Sequence, residues 1–115
     1  MKFHRKKFFF VAGEPSGDLH GSKLIKALKN IDPDIIFIGH GGDRMKKAGM
    51  TIIEHVNNMS IMGFFEVLKH LPKMVRLLAS TKNFIENLQP DRIVLIDYPG
   101  FNLRLAKYLS RSNIP

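Results

Sequence analysis

Two short segments hold the residues best suited to chemistry: Gly13-Glu-Pro-Ser-Gly-Asp18 and Asp97-Tyr-Pro-Gly-Phe101. Asp97 ends the run Arg92-Ile-Val-Leu-Ile96, so its carboxylate leaves low-dielectric surroundings just before Pro99-Gly100 turns the chain away. A carboxylate held that way is suited to general-base work, and the competing role is to cap the helix that follows. Glu14 stands at the end of another apolar run, where a carboxylate reads as a ligand contact. Ser16 and Asp18 either face the same ligand or cap a helix. Gly13, Gly17 and Gly21 recur every four residues, which suits a tight turn and close packing of a helix on a sheet.

Several familiar chemistries are excluded. A dinucleotide loop needs glycine at relative positions 1, 3 and 6, yet Gly13 is followed there by Pro15 and Asp18. No Gly-Lys-Ser/Thr follows to make a nucleotide-triphosphate loop. Gly39-His-Gly-Gly-Asp-Arg44 fails the dinucleotide pattern at Arg44 and reads as a loop that approaches a ligand, with Asp43 as a helix cap. The five histidines, His4, His20, His40, His55 and His70, include no pair at metal spacing. Glu66 and His70 lie four apart and read as a surface pair more readily than as metal ligands. With no cysteine in the chain, thiolate metal sites, disulfides and a cysteine nucleophile drop out. No metal and no cofactor is expected.

These residues need a scaffold, and the chain describes one. Phe8–Ala12, Ile35–Gly39, Thr51–Glu54 and Arg92–Ile96 are short apolar runs without polar alternation, as in parallel strands buried on both faces. Helical patterns fill the gaps: Asp18–Lys29 with Leu19, Leu24, Ile25 and Leu28 on one side, Arg44–Ala48, Gly63–Asn87 and Asn102–Ser110. Pro72 is expected to break the long region, since Leu71 before it is pushed out of helical geometry. The alternation β-α-β-α-β-α-β-α is that of an α/β, doubly wound, Rossmann-like parallel sheet. With the common strand order 3-2-1-4, the ligand crevice lies between the first and fourth strands, where both candidate turns emerge. Ser110–Pro115 reads as a helix exit leading into a fifth strand.

At 115 residues and 13.1 kDa the chain makes one domain at most. Its 44% hydrophobic and 24% charged residues exclude a disordered tail. The net charge is +8, and Met1–Lys7 alone carries four basic residues and no acid. The remainder is mildly basic, so no nucleic-acid partner is read; the arm suits an anionic membrane surface or a solvated end. No apolar run approaches the roughly 20 residues needed to span a bilayer. Phe8–Ala12 is too short for a signal-peptide core, and a cytosolic chain is expected.

The stretch from Met59 to Leu78 is unusually apolar. Phe64, Leu68, Leu71, Val75 and Leu78 follow helical spacing and are expected to face the sheet. Phe65, Val67 and Met74 widen the stripe, and Lys69, Lys73 and Arg76 line the other side. A broad apolar surface beside basic residues suits a membrane-touching or acyl-binding helix, or core packing against a further surface.

Taken together, these segments resemble the amino-terminal part of bacterial lipid-A-disaccharide synthases. The matching motifs are Val11-Ala-Gly-Glu-Pro-Ser-Gly-Asp18, Gly42-Asp-Arg-Met45, Ile61-Met-Gly-Phe-Phe-Glu-Val-Leu68 and Ile96-Asp-Tyr-Pro-Gly-Phe-Asn102, in family order. The resemblance implies an incomplete amino-terminal, acceptor-side domain of a GT-B fold over residues 1–115, without the carboxyl-terminal UDP-binding domain. It implies transfer of a diacylglucosamine from a UDP-diacylglucosamine donor to diacylglucosamine 1-phosphate, with inversion, no metal and release of UDP. Asp97 matches the position of the general base. Gly13, Glu14, Ser16, Gly17 and Asp18 match a turn lining the cleft. Phe65, Val67, Leu68, Leu71, Met74 and Val75 match a patch meeting acyl chains or the cytoplasmic face of the inner membrane. Some family members carry a second acid shortly after the Asp97 position; Gly100 and neutral neighbours stand here instead. The isolated chain is expected to be inactive without the missing half, in cis or in trans. The alternative is a small α/β module that binds a nucleotide or sugar phosphate without catalysis.

Overall fold

A computed structural model describes residues 5–59 and 71–115. The elements are β1 (Lys7–Ala12), α1 (Pro15–Ile31), β2 (Ile36–Gly41), α2 (Asp43–Ala48), β3 (Thr51–His55) and α3 (Val56–Met59), followed by α4 (Leu71–Leu88), β4 (Arg92–Ile96) and α5 (Pro99–Tyr108). The four strands form one sheet in the order β3-β2-β1-β4, and every pairing is parallel. The expected strand order is therefore present, with the switch point between β1 and β4.

The run Phe8-Phe-Phe-Val-Ala12 lacks polar alternation because both faces of β1 are covered. Phe9 and Val11 point to one side, into a core with Met74, Leu78 and Ile85 of α4 and with Phe101 and Leu105 of α5. Phe10 and Ala12 point to the other, into a core with Ile25 of α1 and with Met45 and Ala48 of α2. Phe9, Phe10, Val11 and Ala12 are completely buried, and each large side chain so buried contributes roughly 1.5–3 kcal/mol.

Some helix faces differ from expectation. On α1 the buried side is Gly17, Asp18, Gly21, Ser22 and Ile25, whereas Leu24 is exposed. Two glycines let the helix axis come close to the sheet: a Cβ at Gly17 would lie 3.2 Å from Ala12 Cβ, and one at Gly21 would lie 3.1 Å from Ile96 Cδ1. Only a stripe centred on them can face inward.

On α4 the side facing the sheet is Met74, Leu78, Thr81 and Ile85, while Val75 is 47% exposed. In so broad an apolar stripe, adjacent registers compete. The one that continues through Ile85 onto Phe9 wins, so Val75 faces out and Met74 in. Leu71 and Pro72 are the first two residues described in α4, a place where a helix tolerates proline, and the stretch before Leu71, where Pro72 is expected to break the helix, lies outside the described residues. The other parts of the Gly63–Asn87 expectation, with Phe64, Phe65, Val67 and Leu68, lie outside the described residues. So does the Leu71 side chain.

The chain's last residues run along the outer edge of β4, where the Ile93 N–H donates to the Pro115 carbonyl at 2.8 Å. That is the path expected toward a fifth strand, although none is formed among the described residues.

Candidate functional site

Register decides which turns meet. Ala12 of β1 is paired with Ile96 of β4, so the chain leaves the sheet from both strands at the same level. Gly13 and Asp97 are the first residues out. The turns that carry Glu14 and Asp97 thus flank the switch point, although 83 positions separate the two carboxylates in sequence.

Close packing joins the turns. A Cβ at Gly13 would lie 2.4 Å from ring atoms of Tyr98, so only glycine lets the ring lie there. The Tyr98 side chain is buried and packs against Phe101, with ring centroids 6.0 Å apart. Burial raises the pKa of its phenol, and the nearby Glu14 carboxylate raises it further. The two turns therefore share one electrostatic environment.

The β4 turn is strained. Asp97 and Tyr98 have φ of 48° and 51°, successive left-handed residues at about 1–3 kcal/mol each. Pro99 then opens α5 with its ring-fixed geometry. Inside the turn Asn102 is buried, and its Nδ2 donates to the Asp97 carbonyl at 2.6 Å, with the Ile96 and Val11 carbonyls at 3.3 and 3.4 Å. The left-handed step swings Asp97 out of the line of β4, so its side chain is exposed. The expected position at the edge of an apolar environment is corrected to that extent.

On the β1 side, Glu14 is the extended residue before α1 and makes no capping hydrogen bond. It is half-buried, and Ser16 is exposed beyond Pro15. Neither Ser16 nor Asp18 caps α1. Gly17 is packed against Ala12 and Ile96.

Asp18 is buried and turned away from the crevice. Its carboxylate accepts from the backbone N–H groups of Gly42 at 2.8 Å, Met45 at 3.0 Å and Arg44 at 3.1 Å. It caps α2 from another helix, while Asp43, expected as that cap, pairs instead with His55 Nε2 at 3.0 Å. Of the turn residues singled out, Gly13 packs on Tyr98, Glu14 is half-buried and Ser16 exposed just beyond the end of β1, and Gly17 and Asp18 are buried.

Sequence reasoning passed over Tyr98 and Asn102. The available signal was an amide among the apolar positions Phe101 and Leu105 of α5. In the proposed acyl patch, Met74 lies in the core and Val75 faces outward beside exposed Lys73 and Arg76. Phe65, Val67 and Leu68 are outside the described residues. Among the described residues, no helix is long and apolar enough to cross a membrane, and no three acidic or histidine side chains group together as for a metal.

Comparison with known proteins matches this arrangement to one family. The model of the lipid-A-disaccharide synthetase family matches residues 8–115. The chain belongs to the lipid-A-disaccharide synthase family. It is 40% identical over 109 residues to the lipid-A-disaccharide synthase of Geobacter metallireducens, covering 95% of this chain and 28% of the relative. The lipid-A-disaccharide synthases of Coxiella burnetii and Myxococcus xanthus are 36% and 38% identical over 109 residues, again 95% of this chain and 29% and 28% of theirs. The chain thus spans little more than a quarter of the length of the synthases it matches. Both crevice turns lie within the matched span.

Proposed function

We propose that the chain forms the acceptor side of a lipid-A-disaccharide synthase, an inverting glycosyltransferase with Asp97 as general base. The acceptor is a diacylglucosamine 1-phosphate and the donor a UDP-diacylglucosamine. As the acceptor 6-hydroxyl oxygen bonds to the donor's anomeric carbon, Asp97 takes the hydroxyl proton. The bond from that carbon to the phosphate oxygen breaks, and the pair leaves with UDP. Glu14 and Ser16 flank the acceptor, and no step needs a metal or cofactor. The observation that carries the reading is the equal level of Ala12 and Ile96, which brings the Glu14 turn and Asp97 to one switch point.

The test joins this chain to the remaining length of the Geobacter metallireducens synthase and measures disaccharide formation. Asp97→Asn keeps the side chain's size and removes the base, so transfer should fall about 10²–10⁴-fold with folding unchanged. Transfer at the unsubstituted rate would overturn the assignment. No transfer by the unsubstituted joined protein would favour a binding module instead.

The membrane-facing part of the reading rests on Val75, exposed between exposed Lys73 and Arg76 on α4. The chain should float with vesicles containing anionic lipid and not with neutral ones, and Val75→Asp should weaken that binding. Equal binding to both vesicle types would count against it.

A further inference from the structure

The strained turn that presents Asp97 needs something to hold it, and one side chain reaches carbonyls at the ends of both flanking strands. We propose that Asn102 is a positioning residue, whose side-chain amide clasps the ends of β1 and β4 and keeps the Asp97–Tyr98 turn left-handed. In doing so it sets the direction of the Asp97 carboxylate. The consequence for catalysis rests on the reading of Asp97 as the base; the clasp itself does not.

Three observations carry this. First, Asn102 Nδ2 approaches the carbonyls of Val11, Ile96 and Asp97. Two belong to the end of β4 and its turn and one to β1, while Asn102 sits on α5, so a single NH₂ group ties three elements at the switch point. The shortest contact, 2.6 Å, is to the carbonyl of Asp97 itself.

Second, Asp97 and Tyr98 both have φ near +50° and neither is glycine. A bulky tyrosine avoids that region by itself, so the surroundings must impose it. The ring of Tyr98, seated on Gly13, holds the side chain; the Asn102 amide holds the peptide.

Third, Asn102 Oδ1 is buried and has no hydrogen-bond partner among the described residues. Leaving a buried acceptor unsatisfied is unfavourable, and a leucine would fill the same space between Phe101 and Leu105 without that cost. The amide's two N–H donors are the property a leucine lacks.

Two measurements on the isotope-labelled 115-residue chain test the clasp without reference to activity. In the unsubstituted chain, the Asn102 side-chain NH₂ should exchange far more slowly than those of exposed Asn30, Asn83 and Asn87. It should also show scalar coupling through its hydrogen bond to the Asp97 carbonyl carbon. Exchange as fast as in the exposed asparagines would overturn the proposal, and this arm needs no variant that might fail to fold. In Asn102→Ala, the strong intraresidue HN–Hα cross-peaks that mark positive φ should disappear at Asp97 and Tyr98, with Phe10 and Ile25 unshifted. Their persistence would also overturn it.

In the joined synthase, kcat per folded molecule should fall at least about tenfold in Asn102→Ala, with KM within about twofold. An unchanged kcat would refute the positioning role. The failures remain distinguishable: normal transfer by Asp97→Asn removes the base and leaves the clasp standing on the spectra, whereas unchanged spectra in Asn102→Ala remove the clasp whatever Asp97 does.

Discussion

His40 lies on β2, ring to ring with Phe9 and Phe101 at centroid distances of 6.0 and 5.8 Å, and burial pushes its pKa down to about 4. Its Nε2 is 3.3 Å from Thr81 Oγ1, and that hydroxyl already donates its proton to the Leu77 carbonyl at 2.6 Å. Nε2–H must therefore be the donor to Thr81, which assigns the tautomer. Glu54 lines the same small cleft, with Leu77, Ser80 and Phe84. An unfolded histidine titrates near 6.5, so between pH 6.5 and about 4 the unfolded chain binds a proton that the folded chain does not. Folding stability should thus be fully present above pH 6.5 and decline as the pH falls through that window, by about 2 kcal/mol at pH 5. Urea unfolding of the chain and of His40→Gln at pH 7 and pH 5 checks this. The substituted chain should lose less stability on acidification, and equal losses would refute it. Nothing in the local sequence Gly39-His-Gly-Gly marks this histidine as buried, because the residues that cover it lie on α4 and α5.

Among the elements, α2 is the one most dependent on a distant residue. Six residues are too few for a helix to hold itself together in water, and its first N–H groups are satisfied by Asp18, more than twenty positions earlier. A carboxylate accepting three backbone N–H bonds at a helix start also opposes the positive end of the helix dipole. Replacing it with alanine should cost about 3 kcal/mol in all, and amide exchange should quicken first at Gly42, Arg44 and Met45. If those amides stay protected, Asp18 is not what holds α2. The existence and order of these elements was legible in the apolar runs and the glycine turns. Their inward faces were less so: Leu24 and Val75 follow helical spacing as well as their buried neighbours do. The choice falls to the glycines that let α1 approach the sheet and to Ile85, which anchors α4 on Phe9.

For the molecule as a whole, four parallel strands with helices on both faces bring the Glu14 and Asp97 turns out at one level of the switch point. There Ser16 and Asp97 lie open to solvent and Glu14 is half-buried. Glycosyl transfer needs donor and acceptor held against each other away from water, and this chain amounts to 28% of the length of its Geobacter relative. The purified 115-residue chain, given both substrates, should therefore form no disaccharide. Detectable product would show that these residues suffice.

Strand number, parallel pairing and the two crevice turns follow from the sequence alone, because apolar periodicity and the punctuation by glycine and proline are local properties. The order β3-β2-β1-β4 was also within reach, since right-handed crossovers leave few arrangements of such a chain. What only the tertiary structure decided is the use of each polar group. Asp18, Asp43 and Asp97 each stand in a glycine-containing turn near a helix start, yet one caps α2, one pairs with His55 at the surface and one stands exposed at the end of β4. The division depends on which backbone N–H groups come within about 3 Å of each carboxylate, and that distance is set by the packing of elements far apart in the chain.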